Sequence, residues 1–177
     1  MGYENVHIDG CDVYLTGGAK LDLGAIAKGY IADKMKAYLE SVGIKSGIIY
    51  LGGNVLLIGS RPNGNTYKVG IQKPFDTEGS YAFTLDKSDC SIVTSGTYER
   101  YFEYEGRLYH HILDPKTGYP VDNGLSSITV ITKKSTDADA LSTMLFVMGP
   151  DAALSYAESH DDVDVMMITD DGDIIKN

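Results

Sequence analysis

Two of the four histidines in this chain are adjacent, and the residues around them are the first place to look for chemistry. His110 and His111 end an apolar, strand-like run, which an Asp114-Pro115 step and a Thr117-Gly118-Tyr119-Pro120 turn then stop abruptly. Successive strand residues point to opposite faces, so one of the pair can look into a cavity while the other packs or meets solvent. An unperturbed imidazole titrates near neutral pH, which makes His111 a candidate general base. The plainer reading is a hydrogen-bonded structural histidine at a strand end. Further on, Asp139 and Thr143 stand four apart on an expected helix and therefore share a face. A carboxylate and a hydroxyl, completed by backbone carbonyls or water, suit Mg2+, which prefers oxygen ligands and keeps places for substrate phosphates. Zinc fits poorly, because suitably spaced thiols are lacking and the imidazoles lie on another element. The competing reading is an Asp139 that complements the helix dipole and a half-buried Thr143. Upstream, Lys20 to Tyr30 lead into a helix, Gly24 marks the bend, and the first-turn amides and Lys28 can face an anion. Here too there is a bland alternative, a solvated lysine after a glycine that lets the chain turn. Imidazole in one segment and hard oxygen donors in another point to chemistry on an anion held by a hard metal.

The elements that must position these groups follow from periodicity. Val6 to Ile8 and Asp12 to Thr16 read as a hairpin around Asp9-Gly10, with Val6 and Ile8 on one face. The first helix runs to about Val42, and Ile26, Tyr30, Ile31, Met35, Tyr38, Leu39 and Val42 recur at the spacing of one buried face before Gly43 stops it. Gly47 to Leu51, Val55 to Ile58, Tyr67 to Ile71, Tyr81 to Leu85, Ser91 to Thr94 and Leu125 to Thr132 read as strands. Tyr98 to Tyr104 and Arg107 to Leu113 make a hairpin around Glu105-Gly106, and aromatics on both faces of its first arm predict a strand covered on each side. A second helix covers Asp137 to Gly149 with Ala138, Leu141, Leu145 and Met148 as its apolar stripe; Pro150 opens a third, to about His160. Val163 to Ile168 closes as a strand. The expected fold class is α+β, a largely antiparallel sheet covered by helices.

Composition narrows the function. A chain of 177 residues with 43% hydrophobic and 23% charged residues is globular in character and long enough for one cored domain. Its formal charge of -10, with no run of Lys or Arg, argues against nucleic acid as a partner. A small phosphate ester remains compatible, given local help from a metal ion, a helix N-terminus or a placed lysine. No Gly-Lys-Ser/Thr follows four variable residues after a glycine, so a Walker-type phosphate loop is excluded. Cys11 and Cys90 have neither metal spacing nor the numbers for a disulfide framework. No apolar segment approaches the roughly 20 residues that span a bilayer, and no signal peptide opens the chain.

Together the segments resemble the ApbE family, the FAD:protein FMN transferases. The resemblance is carried by Leu21-Asp22-Leu23-Gly24-Ala25-Ile26-Ala27-Lys28-Gly29-Tyr30, by Leu51-Gly52-Gly53-Asn54, by Thr94-Ser95-Gly96 with Tyr98-Glu99-Arg100, by His111-Ile112-Leu113-Asp114-Pro115 with Thr117-Gly118, and by Ala138-Asp139-Ala140-Leu141-Ser142-Thr143. It implies an ApbE-like, T-fold-related domain and Mg2+-dependent cleavage of FAD, with FMN moved onto a Thr or Ser hydroxyl of an acceptor flavoprotein and AMP released. It also implies residue roles. Asp139 and Thr143 match side-chain metal ligands, Ala25 a position that offers its carbonyl, and Ser142 a further contact. Asp22, Lys28 and Ile112 match FAD-contacting positions, and His111 matches the histidine that activates the acceptor hydroxyl. Hydrolysis of FAD to FMN and AMP, or FAD binding without catalysis, are the alternative activities. Family members carry a sizeable segment before the Asp-Leu-Gly motif, which here begins at Asp22, so residues 1-177 are expected to form a single domain equivalent to the C-terminal part of the family pattern. The family is typically extracytoplasmic and membrane-associated, which is the expectation for location.

Overall fold

The computed structural model describes residues 2–77 and 79–177. After a short 3-10 turn, β1 (Val6–Asp9) and β2 (Asp12–Leu15) form a two-stranded ribbon. Helix α1 (Ala27–Ser41) follows, then β3 (Gly47–Tyr50), β4 (Asn54–Ile58), β5 (Tyr67–Gln72), β6 (Tyr81–Lys87) and β7 (Ser91–Gly96). β8 (Tyr101–Tyr104) and β9 (Arg107–His110) make a hairpin. β10 (Leu125–Thr132), α2 (Ser135–Met148), α3 (Pro150–Glu158), β11 (Asp164–Thr169) and β12 (Ile174–Lys176) complete the chain. Six strands form one sheet in the order β12-β11-β10-β7-β4-β3, and every neighbouring pair is antiparallel. The expected α+β class, a large antiparallel sheet with helices against it, is what the chain adopts.

The sheet is the middle of three layers. Its centre is β10, whose eight residues are all buried because it is covered on both faces. On one side lie α2 and α3, where Phe146, Leu145, Ala138, Ala153 and Ala157 meet Ile128, Val130, Val165 and Met167. On the other side the β5–β6 ribbon closes over Leu57, Ile92 and Ile131 with Tyr67, Val69, Ile71 and Leu85. At about 25 cal/mol per Å2 of apolar surface, these two clusters supply most of the hydrophobic stabilisation. No helix among the described residues is long and apolar enough to cross a membrane.

Three expectations are corrected. The apolar stripe of α1 is not its packing face: Gly29 and Ala32 are buried, whereas Tyr30, Ile31, Met35, Tyr38 and Val42 are exposed. Small residues win that contact because they let α1 approach α2 closely. The hairpin expected around Asp9-Gly10 forms, and both its arms are largely open. The strand expected over Tyr98 to Tyr104 is confined to Tyr101–Tyr104, all of it exposed, because Tyr98 to Arg100 form a turn. Helix α2 starts two residues early, and its buried stripe is Ser135, Ala138, Asp139, Ser142, Leu145 and Phe146, with Met148 in solvent.

A candidate cation site where two helices cross

Helices α1 and α2 are tied together by polar groups far apart in sequence. Asp33 on α1 caps α2: its Oδ1 accepts the Ser135 amide at 2.8 Å, and its Oδ2 accepts the Thr136 amide at 2.8 Å and the Thr136 hydroxyl at 2.6 Å. A residue on another helix thus does what an N-cap side chain normally does for its own helix, and this explains the early start of α2. The approach is close enough that a Cβ on Gly29 would collide with the Ser135 carbonyl and lie 2.7 Å from Asp139 Cβ. Only glycine fits there.

That contact brings Asp139 to the start of α1. The residue is 2% exposed, and its Oδ2 accepts the Gly29 amide at 2.8 Å. A first-turn amide of α1, one of those that can face an anion, is therefore engaged by a carboxylate of the protein itself. Asp139 Oδ1 lies 3.3 Å from Lys28 Nζ, which also donates to the Gly24 carbonyl at 3.4 Å. The bend carrying that carbonyl is held by Asp22, whose Oδ1 accepts the Gly24 amide at 2.7 Å, an Asx-type turn. A carboxylate and a backbone carbonyl thus already hold one cation, the lysine ammonium, with the exposed Ala25 next in the chain. One helical turn beyond Asp139, Thr143 Oγ1 lies 3.4 Å from Ser95 Oγ on β7. Carboxylate, hydroxyl and carbonyl are the hard oxygen donors that Mg2+ takes, so the residues present fit that ion. Among the described residues no three His, Cys, Asp or Glu cluster together, so the donor set is not of the zinc type.

The two imidazoles divide as alternation requires. His110 is buried; its Nδ1 accepts the Ile112 amide at 3.3 Å, its Nε2 donates to the Val121 carbonyl at 2.9 Å, and its edge meets Phe146. Both nitrogens have structural partners. His111 points outward, and its Nδ1 lies 3.3 Å from the Arg100 carbonyl. A carbonyl only accepts, so Nδ1 carries the proton and Nε2 presents a lone pair to the surroundings. Burial of one side of the ring holds its pKa below the usual histidine value; the Arg100 carbonyl opposes this, while Arg100, His110 and Lys28 add to it by repulsion. The imidazole is thereby kept neutral, as a base must be. Ile112 behaves differently from the other candidates: its side chain is in the core, and its carbonyl already accepts the Val121 amide at 3.0 Å.

Glu99 was not singled out by type and spacing. Its carboxyl is raised above the usual range by desolvation and by the charge of Asp139, with Lys28 and Arg100 opposing. It therefore shares the electrostatic neighbourhood of the ion pair. Strand alternation would have set it on one face with Tyr101 and Glu103, and the turn at Tyr98 to Arg100 cancels that alternation. A Cβ on Gly53 would lie 2.8 Å from Glu99 Oε1, so the carboxylate rests against the Gly52-Gly53 turn. Beyond it, a cleft of about 550 Å3 runs between the sheet and the β5–β6 ribbon, with Tyr50, Lys68, Tyr81 and Tyr98 in its walls. Burial lifts the Tyr98 hydroxyl to about 12, so it remains a neutral donor.

An antiparallel α+β domain with Asp139, Lys28 and Thr143 along one helix crossing defines a class of fold and polar site. Comparison narrows the class. The ApbE family profile matches residues 1–167, and the chain belongs to that family. It is 44% identical over 166 residues to a Klebsiella pneumoniae protein named FAD:protein FMN transferase, covering 93% of this chain and 51% of that one. A Treponema pallidum protein of the same name is 40% identical over 162 residues, covering 87% of this chain and 45% of its own length. The ApbE protein of Thermotoga maritima superposes with a TM-score of 0.90 at 35% identity, covering 99% of this chain and 58% of that one. The flavin transferase ApbE of Vibrio cholerae superposes with a TM-score of 0.85 at 34% identity, over 99% and 57%. The chain spans about half the length of the curated relatives it matches.

Proposed function

We propose that this chain supplies the cation site and the base of an FAD:protein FMN transferase. In that reaction the oxygen of a Thr or Ser side chain on an acceptor flavoprotein attacks the FMN phosphorus of FAD. The pyrophosphate P–O bond breaks, AMP departs, and the hydroxyl proton is taken up. The observation that carries the reading is the Lys28 ammonium held between the Asp139 carboxylate and the Gly24 carbonyl, oxygen donors that already hold one cation inside a protein of charge -10. Asp139, Thr143 and the Ala25 carbonyl are the donors that would hold Mg2+, with Ser142 beside them. When bound, the ion supplies neutralisation of pyrophosphate charge, the main requirement of phosphoryl-type transfer. Lys28 adds a second positive charge at the same point. His111 accepts the hydroxyl proton at Nε2, the nitrogen that its contact with Arg100 leaves free. Asp22 and Ile112 belong to the FAD-facing surface in this reading, Asp22 by fixing the bend that presents Gly24 and Ala25, and Ile112 through the second lone pair of its carbonyl.

Exposure of the His111 ring supports a second reading, in which water takes the place of the acceptor hydroxyl and the products are free FMN and AMP. Incubating the chain with FAD and Mg2+, with and without an acceptor flavoprotein, separates them. Flavin retained on denatured acceptor marks transfer, and free FMN without acceptor marks hydrolysis. FAD binding with no AMP in either tube would reduce the chain to a binding module.

A further inference from the structure

A helical threonine commonly gives its hydroxyl proton to the carbonyl one turn back. For Thr143 that carbonyl belongs to Asp139, and both its lone pairs are taken, one by the Thr143 amide within the helix and one by Ser142 Oγ at 2.9 Å. A hydroxyl has a single proton. Ser142 therefore has none left for Ser95, and the 2.9 Å contact between the two serines runs from Ser95 Oγ to Ser142 Oγ. Ser95 is committed in turn, so in the 3.4 Å contact with Thr143 it is Thr143 Oγ1 that donates. Three hydroxyls thus form a one-way chain, Thr143 to Ser95 to Ser142, ending on a backbone carbonyl.

We infer that Ser95 is a positioning residue for the cation site: by accepting the Thr143 proton it turns the Oγ1 lone pairs toward a hard cation, without binding that cation itself. The inference rests on the Mg2+ reading above. Sequence placed Ser95 only in the Thr94-Ser95-Gly96 motif, and its role depends on where β7 meets α2.

The test is calorimetric titration of Mg2+ into four forms of the 177-residue chain: wild type, Ser95→Ala, Thr143→Ala and the double variant. Ser95→Ala weakens Mg2+ binding by about 10-fold, the low end of what groups behind a metal ligand contribute. In the Thr143→Ala background the same change costs less than about 2-fold, because the two residues act as one unit. A serine that merely supports the fold would give equal losses in both backgrounds. Ser95→Cys, similar in size but a poor hydrogen-bonding partner, repeats the comparison and behaves like Ser95→Ala. Wild-type affinity in Ser95→Ala, or equal losses in both backgrounds, overturns the role of Ser95 alone. A wild-type chain that takes up no Mg2+ removes the metal reading, and the role of Ser95 with it.

Discussion

Helices α1 and α2 lie against each other yet live in different surroundings. Phe146 and Leu145 of α2 are fully enclosed by β10 and β11, with no measurable exposure. Tyr38 of α1 is 67% exposed, and with Tyr30, Ile31, Met35 and Val42 it forms an apolar stripe with no partner among the described residues. The edge strand β3 also carries exposed apolar residues, but Ile48 and Tyr50 lie on its other face, along the cleft beneath the β5–β6 ribbon. Periodicity reveals which face of a helix is apolar, but whether that face is covered depends on what packs against it. The candidate site lies on the seam between the two regimes, with Asp139 on the enclosed helix and Lys28 on the open one.

The contrast can be broken or sharpened by experiment. Replacing Asp139 with Ala removes the anchor of the seam; Mg2+-dependent FAD turnover should be abolished, and an unchanged Mg2+ titration of that turnover would detach the residue from the cation. His111→Ala should slow transfer by about 10²- to 10⁴-fold with FAD binding retained, the usual loss for a positioned base, measured as flavin joined to acceptor per unit time. On the enclosed side, Phe146→Ala should cost about 3–5 kcal/mol in urea unfolding, because the cavity between α2 and the sheet cannot collapse. At the seam itself, Gly29→Ala forces α1 off the Ser135 carbonyl and should cost about 1–3 kcal/mol, together with weaker Mg2+ binding. On the open side, Tyr38→Ala should stay within about 0.5 kcal/mol of wild type. A cost as large as that of Phe146→Ala would mean that the α1 stripe is covered in solution.

The acid limb of the pH profile sharpens the role given to His111. Its folded pKa is depressed below the usual 6.5, so the ring stays neutral, and transfer stays fast, until pH falls through that lower value. Further down, the rate should drop about tenfold per pH unit. A limb centred above the ordinary histidine pKa would assign the titration to another group.

Much of the fold was legible in the residues. The bounds of β10, Leu125–Thr132, are those expected from a segment whose second half, Ile128 to Thr132, is wholly β-branched. The split between His110 and His111 follows from alternation alone. What could not be read was the work of residues distant in sequence. The start of α2 is set by Asp33, about a hundred positions upstream, and the burial of Asp139 depends on Gly29, whose missing side chain is visible as a motif glycine but not as a contact. β8 misled because aromatic residues on both faces were taken for coverage, whereas all four of its residues are exposed. Glu99 was hidden by a turn that local alternation does not announce.

The Lys28 ammonium has one further consequence. Because it rests on the Asp139 carboxylate from within the same molecule, the crossing of the two helices stays electrically balanced with no outside help. The lysine is 43% exposed, so the arm that keeps this balance is also free to let go and reach toward an arriving anion. In the proposed reaction one side chain would then serve the protein at rest as a counter-ion and at work as a hand.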